Sequence, residues 1–274
     1  MANDNVGFNG MIGTGGANNK GKNAVKLEAN MRREQAKNNQ QDGEPAEKFP
    51  IPEDYGDGSI INFIWTTTHK RLLELIIAQT EDDCWAWALV RILQFFHNKD
   101  ISVVAQQTSL SIKSLVKYVI LGMNEAKEPG AQKKLRKKSL AVSSLKRAID
   151  YILNVGIERD YGTQMNKIKA IFLTKPNATP AGIKGLLVPH GLIGISVDVD
   201  DKFRELKNEI YIVHEPREGM NRHALIIVGH GRTKDNKLFF IVQNTWGTIW
   251  GINGYGRIII EKTCPIFYVG ELVK

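Results

Sequence analysis

Glu81-Asp82-Asp83-Cys84-Trp85-Ala86-Trp87-Ala88-Leu89-Val90 is the stretch on which the fold of this chain turns. Acidic residues run straight into a cysteine, and Trp85, Ala88, Leu89 and Ile92 then recur at helical spacing. Asp82 or Asp83 suits the N-cap position. Cys84 therefore falls in the first turn of a helix, where free N–H groups and the positive end of the helix dipole favour an anion. The thiolate is the nucleophilic form of cysteine, and a helix start is one place where it is stabilised. A free cysteine on its own is more often a small buried hydrophobe. The weight of this stretch comes from two others.

Asn221-Arg222-His223-Ala224-Leu225-Ile226-Ile227-Val228 places a histidine at the head of an apolar strand. Gln243-Asn244-Thr245-Trp246-Gly247-Thr248-Ile249-Trp250-Gly251 then places a side-chain amide among aromatics, and Gly254-Tyr255-Gly256-Arg257 follows. Cysteine, histidine and asparagine, in that order, are the parts of a thiol hydrolase: a nucleophile, a base to take its proton, and a group to orient the base. These stretches closely resemble those of papain- and cathepsin-type cysteine proteases, and the resemblance runs from about residue 60 to the end.

The resemblance implies an α+β, papain-like two-lobe fold. One lobe is helical, the other is an antiparallel, barrel-like β lobe, and the active-site cleft lies between them. It further implies catalytic roles for Cys84, His223 and Asn244, with Trp246 shielding the His–Asn hydrogen bond from water. Gln79 would donate its amide to the oxyanion, together with the backbone N–H of Cys84. The implied partner is a polypeptide substrate, cleaved through a thioester acyl-enzyme by a monomer that needs neither metal nor organic cofactor. Three features depart from the family pattern. Gln79 stands one residue closer to the cysteine, the Gly pair of the substrate-docking edge is missing, and Asp82 and Asp83 replace small neutral residues. Arg222 also adjoins the histidine. Carboxylates disfavour a nearby thiolate and a cation disfavours imidazolium, so the expectation is a thiol less acidic than is usual in the family. A catalytically weakened papain-like module, acting by binding or inhibition, is the alternative.

Composition sets the frame. The chain has 274 residues, a hydrophobic share of 42% and a formal net charge of +8. That is enough for one large domain or two lobes around a substantial core. No apolar run approaches the roughly 20 residues needed to span a bilayer, and no membrane partner is expected. Met1-Ala2-Asn3-Asp4-Asn5-Val6 lacks a basic-then-apolar signal pattern. Cys84 and Cys264 are the only cysteines, where a secreted enzyme of this type would carry a disulfide framework. Both observations lead to an expected intracellular location, although the family is commonly lysosomal, vacuolar or secreted. Lys133-Lys134-Leu135-Arg136-Lys137-Lys138 has no interleaved aromatics to stack bases, so nucleic acid is not an expected partner.

Residues 1–49 are polar and poor in large apolar side chains, which predicts a disordered extension, with a transient helix at most over 26–37. Residues 50–274 then form the peptidase-like domain. Its helical lobe is expected over about 80–162, and its β lobe over about 163–274 with 56–79 added. Periodicity predicts helices from Cys84 to about His97, over 112–122, 142–155 and 180–189. Extended runs are predicted at 60–65, 72–77, 168–173, 192–199, 210–214, 223–228, 239–242, 255–260 and 266–269, with Asn236 in a turn.

Overall fold

The computed structural model describes residues 51–125, 140–160 and 167–273. The polar extension and the basic run at 133–138 lie outside them. Contacts group Phe49–Lys274 into one compact unit.

Helices come first along the chain. After strand β1 (Ile60–Ile64), α1 spans Thr66–Leu73, α2 spans Cys84–Asn98, α3 spans Lys113–Glu125 and α4 spans Lys146–Asn154. The next half is built of β2 (Lys169–Ala178), β3 (Ile193–Val199), β4 (Ile210–Val213), β5 (Asn221–Arg232), β6 (Leu238–Gln243), β7 (Tyr255–Ile260) and β8 (Cys264–Val273). Two more helices interrupt it, α5 (Pro180–His190) and the single turn α6 (Asp201–Arg204). Thr179 caps α5 by accepting from the Gly182 N–H, with Pro180 at its first position, the favoured place for a residue without an N–H.

Strand order is β2-β8-β3-β5-β6-β7-β4, with β1 added on β5. The class is α+β, as expected. The sheet is open, however, and mixed: β4 runs parallel to β7, while the other pairs are antiparallel. A second correction concerns 72–77. Leu72 and Leu73 close α1, which is kinked at His69, Glu74 still has helical φ/ψ, and the remainder forms no strand. That remainder docks on the Asn-Thr-Trp-Gly run through an antiparallel bridge between Ala78 and Trp246.

β5 is the spine. Strand side chains alternate between faces. Ala224, Ile226 and Val228 join the core that also holds Trp85, Leu89, Ile92 and Leu93 of α2. Leu225 and Ile227 join a second core with Ile183 and Leu187 of α5 and Phe203 of α6. One strand thus welds the central helix to the β half, and the start of that strand stands beside the start of that helix. On the other side of β3, Gly194 leaves room for Phe267 of β8, whose ring a Cβ there would meet at 2.2 Å.

Candidate active site

Cys84 opens α2, half-buried, with Asp83 at the N-cap. Asp83 does not cap with its side chain, and its Oδ1 is buried without a partner. Capping by the Asp83 carboxylate is therefore not what holds the helix start. Cys84 lines a cleft of about 840 Å³ together with Gln79, Asp82, His223 and Trp246.

His223 stands at the head of β5 and is 4% exposed. Its Nε2 lies 2.7 Å from Asn244 Oδ1, and that oxygen also accepts the Thr245 backbone N–H at 2.7 Å. An amide oxygen can only accept, so Nε2 carries the proton and Nδ1 is left as the basic nitrogen. The Trp246 ring covers the histidine with centroids 4.5 Å apart, and Phe203 backs both rings. The structure thus brings Cys84, His223, Asn244, Trp246 and Gln79 to one place.

Gln79 is held on several sides. Its backbone N–H donates to Thr245 C=O at 2.7 Å, its Oε1 accepts from Thr245 Oγ1, and its Nε2 donates to Glu81 C=O at 2.8 Å. An amide nitrogen has two hydrogens, so one remains after the Glu81 bond. Thr245 is the residue that sequence reading passes over: it ties Asn244 to Gln79. Its hydroxyl, next to the amide in the motif, is the one signal that could have found it. Phe203 is missed as well, and a phenylalanine in a lone helical turn gives no signal at all.

Burial disfavours the charged form of both Cys84 and His223. Burial is the first cause that pushes the Cys84 thiol up, with Asp83 and Asp82 adding to it, while the Ala224 and Trp85 backbone N–H groups oppose it. Burial also pulls His223 down to about 4, against the Asn244 hydrogen bond, which favours the charged ring. The direction agrees with the expectation from local charge, but the leading cause is desolvation. Arg222 is not among the causes of the His223 shift. Its guanidinium reaches across to the neighbouring strand and pairs with Asp198 at 2.8 Å.

A thiol at a helix start, an imidazole oriented by an amide and a tryptophan over that imidazole define, on this α+β fold, the constellation of a thiol hydrolase. The chain belongs to the papain family of cysteine proteases, whose family model matches residues 82–268. It is 38% identical over 80 residues to the viral cathepsin of Cydia pomonella granulosis virus, covering 29% of this chain and 23% of the relative. It is 31% identical over 100 residues to cathepsin B-like CP1 of Giardia intestinalis, covering 36% of this chain and 33% of that protein. The matched stretch thus spans a third or less of either relative's length. The fold is similar to that of the bromelain protease of Ananas comosus, solved in complex with the E64 inhibitor. That match has a TM-score of 0.53 and 16% identity, over 81% of this chain and 100% of that one.

Proposed function

We propose that this chain hydrolyses peptide bonds as a cysteine-type endopeptidase. The observation that carries the reading is the His223–Asn244 hydrogen bond, 2.7 Å long and roofed by Trp246, in the wall of the cleft onto which Cys84 opens. Nδ1 of His223 takes the thiol proton as Sγ of Cys84 attacks the peptide carbonyl. Burial disfavours a separated thiolate and imidazolium, which favours transfer together with attack. The oxyanion is received by the Cys84 backbone N–H and by the second Nε2 hydrogen of Gln79. Donors of this type contribute about 3 kcal/mol in acyl transfer. His223 then gives its proton to the leaving amine, and a thioester remains on Cys84. Water attacks the thioester while its proton passes to His223, and the acid leaves as Sγ regains that proton.

Cleavage of a quenched fluorogenic peptide tests this. It should vanish in Cys84→Ala and in His223→Ala, fall in Asn244→Ala, and survive Cys264→Ser. Equal loss in Cys264→Ser would overturn the assignment. The second reading, a catalytically weakened binding module, draws on the raised thiol and the lowered histidine. Folded protein that neither cleaves peptides nor takes up a thiol-directed epoxysuccinyl label would establish it.

A further inference from the structure

We propose that Arg204, with Arg222 adding positive charge at the cleft edge, makes the leaving-group end of the cleft selective for acidic side chains just C-terminal to the scissile bond. The inference rests on the peptidase reading. In that reading His223 hands its proton to the leaving amine, so the departing fragment lies along the His223 wall. Both arginines line the cleft on that wall. Arg222 directly precedes His223 in β5. Arg204 ends α6 and directly follows Phe203, whose ring packs 5.6 Å from Trp246 and 6.3 Å from His223.

The carboxylates that pair with these arginines stand outside the cleft lining. Asp198 takes two hydrogen bonds from Arg222, which fixes that guanidinium at the cleft edge. Asp201 meets Arg204 at 3.4 Å with its side chain 90% exposed, a contact of little energetic weight. Arg204 can therefore turn to a substrate carboxylate at little cost. Among the described residues that line the cleft, Asp82 is the one carboxylate, and it lies on the Cys84 side. Lys175 lies on the β2 wall and adds to the cationic lining. A planar guanidinium fork binds a carboxylate through two parallel N–H donors, a geometry that an amide or ammonium partner does not offer. Both side chains are about half exposed, at 52% and 59%, so water and salt screen the attraction. An expected preference of about two- to fivefold follows.

The experiment is cleavage of a mixed peptide library by the full chain, with products sequenced by mass spectrometry. Asp and Glu should be enriched about two- to fivefold over Lys and Arg at the first two positions after the cut. Arg204→Gln should reduce the enrichment and Arg204→Glu should reverse it. Raising the salt concentration should weaken it as well. Cleavage with no charge preference, or with the same preference in Arg204→Glu, overturns the inference and leaves the peptidase reading standing. Failure of the peptidase reading looks different: no peptide is cut and Cys84 takes no label. In that case binding decides. Cys84→Ala protein should bind a Glu-rich fluorescent peptide more tightly than its Gln and Lys counterparts, and equal binding refutes the proposal.

Discussion

Protonating His223 should be one of the larger single costs of acidifying this fold. The ring is 4% exposed, and burial lowers it from 6.5 to about 4, so the unfolded chain binds the proton more readily than the folded one does. Stability is therefore complete above about pH 6.5 and is lost as pH falls towards 4, below which this contribution stays constant. A tenfold change in proton affinity between folded and unfolded chain corresponds to about 1.4 kcal/mol, which makes the full loss about 3 kcal/mol. Small domains are stable by only about 5–15 kcal/mol, so the effect is large. Urea unfolding at pH 7, 5.5 and 4.5 measures it, with His223→Gln as the comparison. His97 and His230 are also lowered by burial and give both proteins a slope of the same sign. The difference between the two proteins isolates His223. Wild type should lose about 2–3 kcal/mol more than the variant between pH 7 and 4.5. Parallel pH profiles would refute the claim that this imidazole rests neutral because it is dry.

Asp82→Gly with Asp83→Ser should move the alkylation inflection of Cys84 towards acid by less than about one pH unit, because burial outranks charge among its causes. An unchanged inflection would remove the carboxylates from the account. Cys264 is 3% exposed and burial pushes its thiol up to about 12, so iodoacetamide at pH 8 should modify Cys84 alone in native protein; mass spectrometry of the two peptides checks this. Arg257 is buried, donates to Ser59 Oγ at 2.8 Å, pairs with Asp57 at 2.8 Å and lies 3.8 Å from the Tyr55 ring centroid. Arg257→Met should cost about 2–4 kcal/mol in urea unfolding by releasing the 55–59 segment, and a loss under about 1 kcal/mol would show the clamp to be ornamental.

What is legible in the sequence depends on how local each signal is. β7 is legible at its true bounds because Tyr255 and Ile258–Ile260 are strand formers between turns. Asn236 reads as a turn residue, and its φ of 63° bears that out. β5 reads too short, as Gly229 and Gly231 look like breakers. They are in the strand because Cβ atoms there would strike the Phe63 and Ile60 carbonyls of β1. The parallel β4–β7 pair joins segments far apart in the chain and leaves no local trace. The types of the site residues are legible, but their surroundings are not. Asp198 pairs with Arg222 from a neighbouring strand, and Thr245 links Gln79 to Asn244 although Gln79 lies 166 residues before it. Desolvation, the leading cause of both perturbed titrations, belongs to the packed core and not to any short stretch.

Labelling at Cys84 tests the central claim most directly. Native protein is incubated with a peptidyl epoxysuccinyl reagent near neutral pH, digested and mapped by mass spectrometry, alongside His223→Ala and Cys264→Ser. A single adduct on Cys84, retained in Cys264→Ser and strongly slowed in His223→Ala, is the predicted result. An adduct on Cys264, or a Cys84 adduct that forms equally fast without His223, would contradict the account.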